Sequence, residues 1–138
     1  MTGAQKKISS RFASSVEGLE VYKLAYNLSL EIHKASLEFP KIEQYELASQ
    51  IRRSTKSIVA NLAEGYAKRS QSQPEFSRFI SLAIGSAGEV NTWLHYVRDL
   101  KYLHSDQTDR LQDQYDKVVR MLQNLRTSLL SNRMTNYE

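Results

Sequence analysis

Apolar residues recur along this chain at steps of three and four, the spacing that gathers them on one side of an α-helix. Val21, Leu24, Ala25, Leu28, Ile32 and Ala35 form the first such stripe and predict a helix over 19–37. Phe39-Pro40 ends it, because the proline ring pushes the residue before it out of the α region. Leu47, Ile51, Ser54, Ile58, Leu62 and Gly65 predict a second helix over 46–68, broken by the polar run 69–73. Ser72-Gln73-Pro74-Glu75 then reads as a helix start, with a capping serine, a glutamate three residues on and proline in the first turn. The third stripe is Phe76, Phe79, Ile80, Ala83, Ala87, Val90, Leu94 and Val97, over 74–103. His104-Ser105-Asp106 makes a tight joint in which Ser105 or Asp106 is the expected N-cap. Leu111, Tyr115, Val118, Leu122, Leu125 and Leu129 predict a fourth helix over 107–131 with the spacing of a bundle seam. No alternating strand pattern competes. With short connections, the expected fold is all-α, an up-down-up-down antiparallel four-helix bundle. It occupies 17–131, between a flexible basic N-terminal tail (1–16) and a frayed C-terminus (132–138).

A bundle of one copy needs one apolar side per helix, yet two helices carry a second row. On the first it is Leu19, Tyr22, Tyr26, Leu30, His33 and Leu37; on the third it is Leu82, Glu89, Trp93, Tyr96 and Leu100. The third helix adds a small-residue edge, Ser81, Gly85, Gly88 and Thr92, which would permit close backbone approach. Val59, Ala63 and Ala67 lie behind the core stripe of the second helix. The fourth helix is polar outside, with Gln112, Asp113, Asp116, Lys117, Arg120, Gln123 and Asn124. Contiguous apolar surface is uncommon on soluble monomers, and aromatic residues anchor interfaces. Self-association through the first and third helices is therefore expected. The alternative is a wide core that absorbs the second rows.

Charge sharpens this picture. The formal charge is +4. Residues 1–17 carry three basic and one acidic side chain, and 45–73 carry five basic and two acidic, so the rest of the chain is slightly negative. Arg52, Arg53 and Lys56 are expected on one exposed sector of the second helix, with Lys68 and Arg69 at its far end. Repeated by oligomerisation, these five residues would offer RNA or DNA a multivalent surface, since Lys and Arg gain affinity for phosphates by counterion release. A protein-interaction adaptor without nucleic-acid binding is the alternative.

Catalytic chemistry finds no support. There is no cysteine, so disulfides, thiolate metal sites and cysteine nucleophiles are excluded. His33, His95 and His104 sit in no metal-binding motif, and His104 reads as a helix-end residue that favours the C-terminal dipole. Gly85-Ser86-Ala87-Gly88 lacks the spacing and lysine of a phosphate loop. Asn61, Glu64, Ser86 and Glu89 are placed for a polar network with Arg52 or Arg53, read as structural, with a ligand or nucleic-acid contact as the alternative. Glu64 and Glu89 are also the residues a composite site between subunits would use. The expectation is a non-enzyme with no cofactor or metal. No apolar run approaches the roughly 20 residues of a membrane span. The N-terminus has no apolar signal region, and a soluble cytoplasmic protein is expected.

One set of motifs is more specific. Gln50-Ile51-Arg52-Arg53-Ser54, followed by Ser57-Ile58-Val59-Ala60-Asn61-Leu62-Ala63-Glu64-Gly65, resembles the bacterial four-helix-bundle family encoded in intervening sequences of large-subunit ribosomal RNA genes. Gly18-Leu19-Glu20-Val21-Tyr22 resembles that family's opening. Phe76-Ser77-Arg78-Phe79-Ile80 and Ala83-Ile84-Gly85-Ser86-Ala87-Gly88-Glu89 resemble its third-helix signature. The match spans 16–103, with the fourth helix fitting by pattern. It implies a ring-like homo-oligomer, a pentamer, and kinship with accessory variability proteins of diversity-generating retroelements, which bind nucleic acid and a reverse transcriptase. Val59 departs from the pattern by standing where a proline is expected, which removes a kink.

Overall fold

A computed structural model of the chain describes residues 15–135. Four long helices dominate: α1 (Glu20–Ser36), α2 (Leu47–Ala67), α3 (Gln73–Asp99) and α4 (Ser105–Thr135). Short 3-10 turns at Val16–Gly18 and Lys41–Glu43 precede α1 and α2. Most of the expected basic tail, residues 1–14, and residues 136–138 lie outside the described residues. α4 runs on to Thr135, into the segment expected as a frayed end (132–138).

Contacts between helices fix their directions. Arg52 reaches Ser36 and Lys56 reaches His33, so α2 runs antiparallel to α1. Ser57 meets Ser86 while Gly65 lies against Phe79, which sets α3 antiparallel to α2. Asn91 binds Asp116 and Arg126 binds Ser81, which sets α4 antiparallel to α3. Arg110 of α4 pairs with Glu31 of α1 and closes the ring of neighbours. The fold is all-α, a four-helix up-down-up-down bundle. Its strongly packed pairs are α1–α2, α2–α3, α3–α4 and α4–α1, so α1 and α3 stand on one diagonal.

The core follows the apolar stripes. Every residue of the α2 and α3 stripes is buried, and so are Leu111, Tyr115, Val118 and Leu122 of α4, with Leu125 and Leu129 half-buried against them. Each fully buried Leu, Ile or Val side chain contributes about 1.5–3 kcal/mol relative to exposure. On α1, Val21, Ala25, Leu28 and Ile32 are buried, and Ser36 takes the inner place at the last turn while Ala35 sits at its edge. Val59 lies within an unbroken α2.

Helix ends show where local chemistry suffices and where it does not. The Ser72 Oγ accepts the Glu75 amide at 3.2 Å, and proline occupies the first turn. Ser72→Ala should cost about 1 kcal/mol, read as a lower urea midpoint at unchanged slope; an unchanged midpoint would show that this cap contributes nothing. At the other end α3 stops at Asp99, short of the predicted 103. Lys101 adopts φ 63°, its amide bonds the Arg98 carbonyl at 3.0 Å, and the Tyr102 amide bonds the Val97 carbonyl at 2.9 Å. This is a left-handed helix stop of the kind usually built on glycine. A lysine carries no sequence signal for it. The joint into α4 also differs from expectation. Ser105 and Asp106 are helical, and the His104 carbonyl receives the Gln107 and Thr108 amides. His104 thus precedes the N-terminus of α4 and plays no part at the C-terminus of α3.

Candidate functional site

The second rows on α1 and α3 do not touch each other, since the two helices are diagonal. Both border α2 instead. His33, one turn from Leu30 and Leu37, contacts Lys56 of α2. Ser86, in the same stripe as Leu82, Glu89 and Trp93, contacts Ser57 of α2. The rows therefore flank α2 on its two sides, away from the solvated face of α4. The register set by His33 and Lys56 brings Leu30 level with Val59 and Tyr26 level with Ala63. Small side chains of α2 thus continue the α1 row.

Leu19 is a correction. It is only 8% exposed and belongs to the core, because the chain enters α1 through the Val16–Gly18 turn and folds Leu19 inward. Tyr22 and Trp93 are half-buried against the core. Tyr26, Leu30, Leu37, Leu82, Tyr96 and Leu100 remain exposed. The Tyr22 and Tyr26 rings stack 6.0 Å apart, and Trp93 lies 6.0 Å from Tyr96 while donating its Nε1–H to Glu89. Such pairs hold aromatic rings in fixed orientations at little further entropic cost on contact. The wide-core reading thus accounts for part of each row and leaves the outer part uncovered. Gly85 and Gly88 of the small-residue edge have open space beside them, with nothing among the described residues approaching closely there.

The basic residues do not converge as one sector. Arg52 is half-buried: its Nη1 donates to Ser36 Oγ at 2.8 Å and to Gln44 Oε1 at 3.3 Å, and its Nη2 donates to the Gln44 carbonyl at 3.1 Å. Gln44 in turn donates to the carbonyls of Ser36 and Phe39, so Arg52 braces the end of α1. Lys68 pairs with Glu64 and lies over the Phe79 ring. Arg69 stacks on Tyr66 at 3.7 Å and donates to its carbonyl. Arg53 and Lys56 are exposed and carry no carboxylate partner among the described residues. Lys56 Nζ lies 2.9 Å from His33 Nδ1, and this lysine and Arg52 hold the His33 pKa below the ordinary imidazole value.

The polar network also has a different membership. Asn61 donates to the Ser57 carbonyl at 2.8 Å, and Ser57 Oγ lies 2.9 Å from Ser86 Oγ, tying α2 to α3. Glu64 turns outward to Lys68, Glu89 binds Trp93, and neither Arg52 nor Arg53 enters. Ser57 was the member the sequence hid, because a serine one turn from Asn61 reads as an ordinary helix residue. Among the described residues no group of His, Asp or Glu is placed to hold a metal ion. No described helix is long and apolar enough to cross a membrane.

The fold has a solved counterpart. The chain is similar to a protein of unknown function from the S23 ribosomal protein family from Bacteroides thetaiotaomicron, at 20% identity and a TM-score of 0.69, covering 78% of this chain and 95% of that one. No curated protein matches the sequence. Residues 17–124 match the family model described as 23S rRNA-intervening sequence protein, which takes in the three signature segments and most of α4, and the chain belongs to that family.

Proposed function

We propose that this chain is a non-enzymatic homo-oligomeric scaffold that presents α2 to RNA or DNA. The observation that carries the reading is the pair of exposed aromatic rows flanking α2. Two different rows on one subunit suit a head-to-tail contact, in which Tyr22, Tyr26 and Leu30 of the α1 row of one copy meet the α3 row of the next and the His33 end of the row stays open. Such a contact generates a closed ring when the rotation closes. The pentamer implied by the family resemblance is a ring of this kind. The open edge along Gly85 and Gly88 leaves room for a neighbour. In that ring α2 lies between two neighbours, and Arg53 and Lys56 recur once per subunit along one side. A phosphate backbone would then meet a repeated line of cations.

Native mass spectrometry and sedimentation test the assembly. The wild type should run as one closed oligomer at micromolar concentration. Tyr26→Lys and Trp93→Lys should each reduce it to smaller species, because each row takes part in every contact. A monomeric wild type sinks the assembly. Gel shifts across a salt series test the ligand: binding should weaken steeply with salt and fall in an Arg53→Ala/Lys56→Ala double variant. The adaptor reading has one observation in its favour, since Arg52, Lys68 and Arg69 are engaged within the chain. An absence of nucleic-acid binding at low salt would select it.

A further inference from the structure

Lys56, Arg52 and His33 form a cationic notch where α1 meets α2. An ammonium only donates, so His33 Nδ1 accepts from Lys56 across the 2.9 Å contact. The His33 ring is then neutral, with its proton on Nε2. One turn before Lys56, Arg52 is held by Ser36 Oγ, Gln44 Oε1 and the Gln44 carbonyl, all uncharged acceptors. A guanidinium has five N–H groups, and these contacts use three of them.

What this cluster lacks, among the described residues, is a counter-charge. The ion pairs among the described residues belong to Lys23, Lys68, Arg78, Arg98 and Arg110. The charged groups facing His33 are Lys56 and Arg52 from α2. On α1 itself, Lys34 is adjacent, and the Glu31 carboxylate two residues back is taken by Arg110 of α4. The positive charges of Lys56 and Arg52 lower the His33 pKa, and burial and Arg52 lower that of Lys56. Like charges held together at this cost are relieved by an anion. Donors arrive from two helices, on a compact ammonium, an imidazole edge and a fixed fork. A tetrahedral oxyanion, with oxygens in several directions, suits that arrangement better than a planar carboxylate.

We propose that His33, Lys56 and the remaining N–H groups of Arg52 form a binding notch for one phosphate group of a nucleic-acid backbone, and that His33 makes the grip tighten as the pH falls. This rests on the nucleic-acid reading above and adds His33 to it. The direction follows from linkage. A bound phosphate favours imidazolium and raises the His33 midpoint. Affinity therefore increases as pH falls through the bound midpoint, and levels off below the free one. A phosphodiester keeps its charge throughout, so the change belongs to the protein.

The test follows the imidazole signals of the full chain by NMR between pH 5 and 8, with His95 and His104 as internal controls. One arm adds a short single-stranded RNA and the other adds inorganic sulfate, an oxyanion of constant charge over this range. Both should move the His33 midpoint upward and leave the other two in place. RNA affinity should increase about tenfold from pH 8 to pH 5.5. His33→Gln should flatten that dependence, and Lys56→Met should weaken binding at every pH. RNA that binds without moving His33 overturns the notch and leaves the nucleic-acid reading standing. Sulfate that moves His33 while RNA fails to bind keeps the notch and sinks the nucleic-acid reading. An acidic peptide that moves His33 as far as RNA does overturns the assignment to phosphate.

Discussion

Tyr115→Ala is expected to destabilise the bundle by about 3–5 kcal/mol, the largest single effect anticipated here. Tyr115 is fully buried in the α4 seam and belongs to a single core to which all four helices contribute. Removing its ring leaves a cavity that rigid helices cannot close. Tyr115→Phe should behave in the opposite way. The Tyr115 hydroxyl is buried and has no hydrogen-bond partner among the described residues. A buried hydroxyl of this kind costs about 1–3 kcal/mol, so its deletion should leave stability unchanged or raise it by about 1 kcal/mol. Burial, with the nearby Glu31 charge, pushes the phenol's pKa far above its ordinary value of 10.0. The unfolded chain therefore releases this proton first as pH rises. The buried phenol therefore adds no pH dependence below pH 10 and makes the wild type lose stability progressively above it. Urea titrations at pH 8 and pH 11 on both proteins check this. Tyr115→Phe should lose less stability than the wild type over that interval, and an equal loss would show that the phenol is not protected.

Gly65→Ala should destabilise the fold by about 1–3 kcal/mol, although alanine is the better helix former by about 1 kcal/mol. A methyl group at Gly65 would lie 2.7 Å from the Phe79 Cβ and 3.1 Å from Phe76 Cδ1. The Phe79 Cβ is attached to the α3 backbone and cannot swing aside, so α2 and α3 would have to separate. Phe76 is itself held edge-on to Tyr66 at 6.0 Å. Gly85→Ala provides the contrast. Nothing among the described residues lies within 4 Å of a methyl group there, and the substitution should stabilise the chain by about 0.5–1 kcal/mol. Chemical denaturation of the two variants side by side decides the matter. Midpoints that move in the same direction would show that Gly65 is not the site of close approach.

These glycines show how far the sequence carried. Gly65 sits in the inner stripe of α2, and its burial was legible from spacing alone. Gly85 and Gly88 read as an equally good place for close approach, and they face open space. Gly85 and Gly88 lie on the side of α3 turned away from its buried stripe, so what decides close approach is which residues of a neighbouring helix, such as Phe76 and Phe79 for Gly65, come opposite each glycine. Arg52 is a second instance. Its position on α2 predicted an exposed cation available to a ligand. In the fold it reaches Ser36, sixteen residues earlier, and Gln44, and spends three donors on bracing a helix end. Glu64 behaves likewise, turning to Lys68 one turn on in place of the network at Ser57 and Ser86.

Four helices, their core stripes, the Ser72 cap and the family signature were all legible in the order of residues. Each of these is written in residues within a few turns of one another, where apolar spacing and capping chemistry act locally. The tertiary structure alone decided that α1 and α3 are diagonal and that their outer rows flank α2. It also placed Leu19 in the core, ended α3 at a left-handed lysine, and put His33 against Lys56 beside an occupied Arg52. Those outcomes depend on how helices pair across sequence separations of 16 to 29 residues. Packing settles that choice, because each helix must bury its widest apolar side before its remaining charges find their neighbours.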